Sequence, residues 1–292
     1  MKRYDFVTVG NYTKDTIVSA AGTRHVDGGG YNYAAHAARL LGISVAAVTR
    51  RAAKDAGVTA PLTAAGIDVY AFDSRSSTLM RLEYPTANVD ERILSVKGVA
   101  DPIGPEHLDG IEAHTFLITA SIRGEVSPAT VRAMKARCES LALDVQGFVR
   151  VVSPEGRLRY EAWPEREDML GMTDILKTDA VEAEFLTGTA DIREAARILA
   201  ALGPREIVLT HKDGLLVLAD GHYHDAPFLP VELKGRSGRG DTCVGSYASR
   251  RIGADPAQAT RWAAAATSLK LEAEGPIRRS REDVERLLRE RY

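Results

Sequence analysis

The chain has 292 residues, of which 45% are hydrophobic and 27% are charged, the composition of an ordinary soluble globular protein. Its 38 basic and 40 acidic residues leave a formal net charge of −2. This balance excludes a bulk electrostatic attraction to nucleic acid or to an anionic membrane surface. The length fits one large domain, residues 1–292.

The start of the chain and its cysteine content indicate a cellular compartment. The first ten residues lack the layout of a signal peptide, and no apolar stretch approaches the length of a membrane span. Cys138 and Cys243 lie far apart in the sequence, which argues for a reducing compartment and against a disulfide frame or a zinc site. We therefore predict a cytoplasmic protein with no nucleic-acid or membrane partner.

Strand-like and helix-like patterns alternate along most of the chain, beginning with the apolar run at residues 4–10. Such alternation predicts an α/β fold, in which a mostly parallel central sheet is flanked by helices. Residues 16–26 and 77–96 break the alternation with adjacent strand-like runs. They predict a small appended sheet, which is either a lid over a substrate or a decoration without a role. Because exposed sheet edges invite pairing, a homodimer through this sheet is a further expectation.

The segment at residues 234–243 combines three glycines with the start of an apolar, small-residue helix near Asp241. Gly235, Gly238 and Gly240 let the backbone turn sharply and bring its N–H groups close to a ligand. The helix start adds unpaired N–H donors and a positive dipole end, so the segment indicates an anion site, with phosphate as the usual anion. Asp241 would repel a phosphate ligand and is better suited to act as a base beside it. The alternative is a turn without a ligand, in which Asp241 is only a favourable first-turn residue.

Polar side chains follow two of the predicted strands of the central sheet. Asn11 and Asp15 come after the first strand, and Asp144 and Gln146 lie at the end of the strand at residues 141–145. Ligands of open α/β sheets bind beyond the carboxyl ends of the strands, so these four residues are candidates for contacts with a substrate. A solvated loop is the alternative for Asn11 and Asp15.

Asp179 and Glu182 lie at the start of one predicted helix. Residues three apart share a helix face, so the two carboxylates are candidates for holding a hydrated Mg²⁺ ion, which prefers a few carboxylates and several waters. The alternative is that both acids only complement the helix dipole. The seven histidines show no metal-ligand spacing.

Five segments, taken in chain order, resemble the ribokinase-like (PfkB-type) carbohydrate kinases. They are the polar loop with Asp15 after the first strand, Gly28-Gly29-Gly30…Asn32 before an Ala-rich helix, Asp179-x-x-Glu182 followed by Glu184-Phe185-Leu186-Thr187-Gly188, Thr210-His211-Lys212-Asp213-Gly214, and Ser237-Gly238-Arg239-Gly240-Asp241. The resemblance spans almost the whole chain. Together with Asp144-x-Gln146-Gly147-Phe148-Val149-Arg150, the run Gly-Arg-Gly-Asp-Thr-Cys at residues 238–243 is most similar to a short subgroup of myo-inositol kinases.

The sequence departs from the usual family pattern at positions that bear on phosphate contacts and nucleotide preference. Gly235 and Arg236 stand in place of a leading Asp-Thr pair, and Arg239 stands in place of Ala. Asp179 occupies a position where Asn is usual, and Lys212 one where Gly is usual.

The resemblance implies an ATP-dependent kinase that transfers the γ-phosphoryl group to a hydroxyl of a cyclitol or sugar, with myo-inositol as the first choice. Asp241 would be the general base, and the backbone N–H groups from Gly238 through Gly240 to Asp241 would hold the transferring group. Arg239 would either add a guanidinium to the phosphate oxygens or point to solvent. Mg²⁺, held through waters near Asp179 and Glu182, would bridge the donor phosphates.

The resemblance also assigns the two substrate sides to separate parts of the chain. The expected acceptor contacts are Asn11, Asp15, Gly29, Gly30, Asn32, Asp144 and Gln146. The expected nucleotide contacts are Thr210, Lys212, Gly214, Ala264 and Ser268. Two alternatives stay open: a nucleoside or other sugar kinase of the same fold, and a sugar or nucleotide sensor without catalysis.

Overall fold

The computed structural model describes residues 1–20, 22–86 and 93–292. The strands within these ranges are β1 (Lys2–Val9), β2 (Thr13–Ser19), β3 (Gly22–Gly28), β4 (Val45–Ala52), β5 (Asp68–Ser74), β6 (Thr78–Glu83), β7 (Ile93–Gly98), β8 (Ile111–Ile118), β9 (Cys138–Asp144), β10 (Arg150–Val152), β11 (Leu158–Tyr160), β12 (Ile175–Asp179), β13 (Glu206–Thr210), β14 (Gly214–Ala219) and β15 (His222–Pro227). The helices are α1 (Gly30–Arg39), α2 (Ala60–Ala64), α3 (Pro128–Lys135), α4 (Gln146–Val149), α5 (Arg166–Met172), α6 (Ala180–Thr187), α7 (Ile192–Ala200), α8 (Arg239–Arg250), α9 (Pro256–Leu271) and α10 (Arg281–Arg291), with 3₁₀ turns at Ala53–Thr59 and Pro105–Leu108.

The central sheet of the described chain has nine strands in the order β15-β14-β13-β12-β9-β8-β1-β4-β5. The seven strands from β13 to β5 in this order are parallel, and β14 and β15 add an antiparallel edge. Strands buried on both faces by helices read as near-continuous apolar runs, as residues 116–118 of β8 and 207–209 of β13 do. The predicted mostly parallel α/β fold is confirmed.

Helices α1 and α8 pack closely because small residues line their contact. A Cβ added to Gly245 of α8 would lie 2.6 Å from the Cα of Ala34 in α1. This close approach brings the amino ends of both helices to the same edge of the central sheet, where the parallel strands end. No helix in the described part of the chain is both long and apolar enough to span a bilayer. The predicted cytoplasmic location and the single-domain extent stay predictions.

The small sheet is formed by β3, β2, β6 and β7 in that order. β2 and β6 run parallel, whereas the β2–β3 and β6–β7 pairs are antiparallel. The predicted small separate sheet is thereby confirmed, although residue 21 and residues 87–92 of the two predicted segments lie outside the described residues. The predicted homodimer through this sheet stays a prediction.

Glu125 joins the carboxyl ends of two neighbouring central strands. Its carboxylate accepts hydrogen bonds from the backbone N–H of Asn11, after β1, and from that of Ser121, after β8, the latter at 3.0 Å. The side chain is buried, and burial raises its pKa to about 7, although the accepted backbone hydrogen bonds act in the opposite direction. Glu125 therefore holds together the loops that carry predicted substrate contacts.

Glu125 makes the stability of the protein dependent on pH. The folded chain keeps this proton up to about pH 7, whereas the unfolded chain releases it near the ordinary value of 4.5, so stability is lost as the pH rises between the two values. We expect the free energy of unfolding of the wild type, relative to Glu125→Gln, to fall by about 3 kcal/mol across this window. Urea unfolding at pH 4.5, 5.5, 6.5 and 7.5 measures the difference; two parallel profiles would contradict the expectation.

Candidate active site

A cavity of about 780 Å³ lies between the small sheet and the carboxyl ends of the central strands. Lys177 and Asp179 of β12 and Thr210 of β13 border it from the central sheet. Leu82 of β6 and Leu94 of β7 border it from the small sheet. The small sheet therefore covers the edge of the central sheet at which ligands of open α/β folds bind.

Asp241 lies in the first turn of α8, on the wall of this cavity. The helix begins after Gly238, whose left-handed conformation (φ 76°) and contact with the Tyr33 ring leave no room for a side chain. Gln146 Nε2 lies 3.5 Å from Asp241 Oδ1, a long hydrogen bond. Burial raises the pKa of Asp241, and the positive charges of Lys177 and Arg150 only partly oppose this.

The predicted acceptor-side residues meet Asp241 at the start of α1. A Cβ on Gly30 would overlap Asp241 Oδ1, so these two residues are in direct contact. Asp15 Oδ1 and Asn32 Oδ1 are buried and have no hydrogen-bond partner among the described residues. Burial raises the pKa of Asp15 to about 6. Buried polar atoms without partners are costly, so these oxygens are suited to a ligand that supplies hydroxyl groups.

The other predicted acceptor residues have mixed positions. Gly29 and Gln146 border the cavity. Asn11 is buried below it and donates through its side chain to the Asp101 carbonyl at 3.2 Å. Asp144 is also buried, and its Oδ2 lies 3.0 Å from Lys177 Nζ.

A buried network of charges lies beneath the amino end of α8. Lys177 pairs with Asp144 and lies 3.8 Å from Glu182, and Arg150 pairs with Glu182 at 2.8 Å. A Cβ on Gly240 would lie 2.9 Å from Lys177 Nζ, so the ammonium group contacts the helix start directly. Burial alone would lower the pKa of Lys177, but the charges of Asp144 and Glu182 outweigh it and raise the pKa, which keeps the side chain protonated.

Asp179 and Glu182 form a reciprocal cap at the start of α6. Asp179 Oδ1 accepts from the Glu182 N–H at 2.8 Å, and Glu182 Oε2 accepts from the Asp179 N–H at 2.9 Å. Glu182 is fully buried, and its second oxygen holds Arg150. Only Asp179 of this pair borders the cavity. Within the described ranges, no three or more His, Cys, Asp or Glu side chains group in a way suited to a metal ion.

Several basic side chains border the cavity. Arg239 lies with its guanidinium carbon 5.9 Å from the centre of the Phe228 ring and also borders the cavity. The basic residues on the cavity wall are Arg150, Lys177, Lys212, Arg236 and Arg239. Their number indicates a ligand with several negative charges.

The predicted nucleotide contacts divide between the cavity and the interior. Thr210 and Lys212 border the cavity. Gly214 is buried within the β14–β15 hairpin, where a Cβ would lie 2.5 Å from the Ala226 carbonyl oxygen. Ala264 and Ser268 are fully buried in α9, away from the described cavity wall.

Ser268 is held by partners within the protein. Its hydroxyl donates to the Ala264 carbonyl at 2.7 Å and accepts from the Leu229 N–H at 2.8 Å. The hydroxyl of Tyr292 lies 2.9 Å from Ser268 Oγ and donates to the Pro227 carbonyl at 2.7 Å. The last residue of the chain thus fills the space next to Ser268.

Sequence reasoning did not single out several residues of this site. Lys177 carries a signal, because a lysine in the middle of a buried strand needs a charged partner. Arg150 ends the run that begins at Asp144, and its place in the sequence indicates no role. Leu82 and Leu94 read as ordinary alternating strand residues, and only the fold shows that they face the cavity.

Gly30 offers a test of the contact between the acceptor side and Asp241. In Gly30→Ala the new methyl group would overlap Asp241 Oδ1 and lie 2.7 Å from Thr119 Cβ. We expect this overpacking to lower the free energy of unfolding by about 1–3 kcal/mol. The matched control is Gly171→Ala in α5, where nothing lies within 4 Å of the added Cβ, so stability should rise by about 0.5–1 kcal/mol. Urea unfolding compares the two; equal effects would contradict the contact.

The solved structures that resemble nearly the whole chain include two kinases of inositol or with inositol bound. One is a pyrophosphate-dependent kinase of the ribokinase family in complex with a pyrophosphate analogue and myo-inositol; it is 32% identical, with 96% of this chain and 99% of that chain covered and a TM-score of 0.88. The other is a pyrophosphate-dependent myo-inositol-1 kinase converted into a myo-inositol-3 kinase by two substitutions to leucine; it is 32% identical, with coverage of 98% and 99% and a TM-score of 0.88.

Sequence comparison leads to the same family. The cytidine kinase of Thermococcus kodakarensis is 24% identical over 261 residues, which cover 83% of this chain and 87% of that kinase. The model of the pfkB family carbohydrate kinases matches residues 4–283. The chain belongs to the PfkB family of carbohydrate kinases and is a phosphotransferase that acts on a hydroxyl group of its acceptor.

Proposed function

We propose that this kinase transfers a phosphoryl group from pyrophosphate to a hydroxyl of a cyclitol, with myo-inositol as the first choice. The acceptor is the one predicted from the sequence, whereas the donor differs from the predicted ATP. The proposal depends on the position of Asp241, which contacts Gly30 on the acceptor side and shares the cavity wall with the basic residues. A carboxylate between two such sides is suited to take a proton from an acceptor hydroxyl.

The proposed step requires one proton transfer and one displacement at phosphorus. Asp241 accepts the proton of the attacking hydroxyl, and a raised pKa makes it a better proton acceptor than an exposed carboxylate. The hydroxyl oxygen bonds to phosphorus, the bond from phosphorus to the bridging oxygen breaks, and inorganic phosphate leaves. The N–H groups of Gly238, Gly240 and Asp241 would hold the oxygens of the transferring group, because the start of α8 leaves them without intrahelical partners. The Arg239 N–H instead donates to the Arg236 carbonyl at 3.2 Å.

Two features support pyrophosphate as the donor. The first is the number of basic residues on the cavity wall, since pyrophosphate is bound through its charges alone. The second is the packing around Ser268 and Ala264, where Tyr292 fills the region that the resemblance assigns to adenine. A donor without a base needs the first feature and has no use for an open adenine site. The related kinase with a bound pyrophosphate analogue supports the same donor.

Magnesium remains part of the proposal only as a counter-ion of the donor. Asp179 borders the cavity and would hold the ion, whereas both oxygens of Glu182 are engaged inside the protein. Such an ion supplies charge neutralisation on the donor phosphates. The fixed cations Lys177 and Arg150 already supply part of that charge.

The acceptor side supports a polyol. Asp15 and Asn32 present buried oxygens that lack partners among the described residues, and Gln146 borders the same space. Each is suited to a hydroxyl donor, and a cyclitol carries a hydroxyl on every ring carbon. The related structure that contains myo-inositol supports this choice.

The ring position that receives the phosphoryl group is the remaining part of the proposal. In one relative, two substitutions to leucine change this position from 1 to 3. We propose that this chain likewise modifies a single ring position, which is fixed by side chains around the acceptor.

A matrix of donors and acceptors tests the proposed function. The donors are pyrophosphate, ATP and CTP, and the acceptors are myo-inositol, scyllo-inositol, ribose, fructose and cytidine. We expect the highest kcat/KM with pyrophosphate and myo-inositol, because the cavity offers charges for the donor and buried hydrogen-bond acceptors for the polyol. Phosphorylated product is measured by ³¹P NMR.

Each of the other possible results would indicate a different function for this protein. Preference for ATP would show that the donor is the one predicted from the sequence. Preference for cytidine as the acceptor would favour a nucleoside kinase. Binding of any acceptor without product in every combination would favour a sensor without catalysis.

Asp241→Asn tests the proton acceptor. The amide keeps the size of the side chain but does not accept the proton, so kcat should fall by about 10²–10⁴-fold with little change in fold. The control is Asp168→Asn, an exposed acid in the first turn of α5, which should leave kcat unchanged. Unchanged turnover in Asp241→Asn, measured with the best donor and acceptor, would remove Asp241 from this role.

A further inference from the structure

The small sheet presents two leucines of one apolar row, Leu82 and Leu94, to the cavity. In the registers of its strands Ile17 pairs with Leu82, and Leu82 pairs with Leu94. Side chains of directly paired residues lie on the same face, about 4.5–5.5 Å apart between their Cβ atoms. Leu82 is 5% exposed, Leu94 is half-buried, and both border the cavity.

A polar group lies directly beside this row. Asp15 is two residues before Ile17 in β2, so both side chains point to the same face of the small sheet. Asp15 pairs with Met80, which is likewise two residues before Leu82. One face of the small sheet therefore carries Asp15 beside Met80 in one row and Leu82 beside Leu94 in the next row, and all four residues border the cavity.

The two rows favour different groups of an acceptor ring. A hydroxyl directed at Asp15 gains a hydrogen-bond partner, whereas a hydroxyl directed at Leu82 and Leu94 loses its water and gains none. A ring C–H directed at the same leucines loses nothing. The orientations of a cyclitol in the cavity differ in which groups face each row, and each orientation presents a different hydroxyl to Asp241.

We infer that the pair Leu82–Leu94 selects the ring position that is phosphorylated, by excluding acceptor orientations that direct a hydroxyl at the small sheet. The inference rests on the proposed function and adds the residues that determine its specificity. An apolar wall discriminates against an added hydroxyl by at most about 10²-fold, so we expect the disfavoured positions to be suppressed by about 10- to 100-fold.

The test replaces Leu82 and Leu94 by polar side chains and leaves the rest of the small sheet unchanged. The double variant Leu82→Asn with Leu94→Ser gives a misdirected hydroxyl a hydrogen-bond partner. The matched control is Leu79→Asn with Ile93→Ser: these residues precede Met80 and Leu94 by one position and so lie on the other face, and Ile93 is 44% exposed. Each protein converts myo-inositol with pyrophosphate, and the position of the product is read from ³¹P–¹H NMR correlations and chiral chromatography.

We expect the wild type and the control to give one monophosphate, and the inner double variant to raise a second positional isomer by at least about tenfold. Should the inner double variant give only the isomer of the wild type, the inference is overturned while the proposed function stands. A wild type that forms no inositol phosphate overturns the proposed function, and the inference with it.

A single variant covers the case in which Leu82→Asn does not fold. Leu94 is only half-buried, so Leu94→Ser is compatible with the fold, which circular dichroism checks. It should already yield the second isomer, while Leu82→Met, which keeps an apolar wall, should not. A folded Leu94→Ser variant with a single unchanged product would count against the inference.

Discussion

The site depends on a pair of buried cations set among carboxylates. Lys177 and Arg150 lie beneath the start of α8, between Asp144, Glu182 and the base candidate Asp241. Removing one member of such a network leaves the others as uncompensated buried charges, which typically costs about 3–5 kcal/mol. The network is therefore part of the fold as much as of the chemistry, and it fixes the electrostatic potential at the point where the helix backbone begins.

That potential links the donor to the base. The cations hold down the pKa of Asp241, while burial and the neighbouring Glu182 raise it. A donor phosphate placed over Lys177 would offset part of the positive charge that Asp241 senses, and its own negative charge would favour a proton on that carboxylate. In the proposed reaction the bound donor thus raises the pKa of Asp241. This couples deprotonation of the acceptor to the presence of the phosphoryl group.

Close packing makes the two sides meet. The contacts of Gly245 with Ala34 and of Gly30 with Asp241 bring the starts of α1 and α8 together at one end of the cavity. A larger side chain at either glycine would separate the acceptor side from the base. Three other glycines of the site also leave no room for a side chain, because a Cβ would meet a neighbour: Tyr33 at Gly238, Lys177 at Gly240, and Asp15 at Gly28. This explains why a sequence motif rich in glycine marks the site better than its charged residues do.

The sequence predicted the parts of the structure that local pattern controls. Alternating runs identified the central and small sheets, and glycines before a helix identified the start of α8. Pairing between distant segments was beyond such patterns. Glu182 shares a helix turn with Asp179, as expected, yet its oxygens are taken by Arg150 and the Asp179 backbone, a contact between β10 and α6 that no local spacing encodes. The same holds for Leu82 and Leu94, because only the strand register shows which face they occupy.

The contacts of Ser268 with Tyr292 bear on the identity of the proposed donor. The resemblance to the family implies adenine near this part of α9, but the Tyr292 hydroxyl lies 2.9 Å from Ser268 Oγ and donates to the Pro227 carbonyl. An aromatic side chain at this point occupies apolar contacts that a base would otherwise make. A donor that lacks those contacts has to be bound through its phosphates. The basic residues of the cavity wall, which suit such a donor, come from β10, β12, the turn after β13, the loop before α8 and the first residue of α8. The filled space beside Ser268 and the basic cavity wall therefore both favour pyrophosphate, the proposed donor.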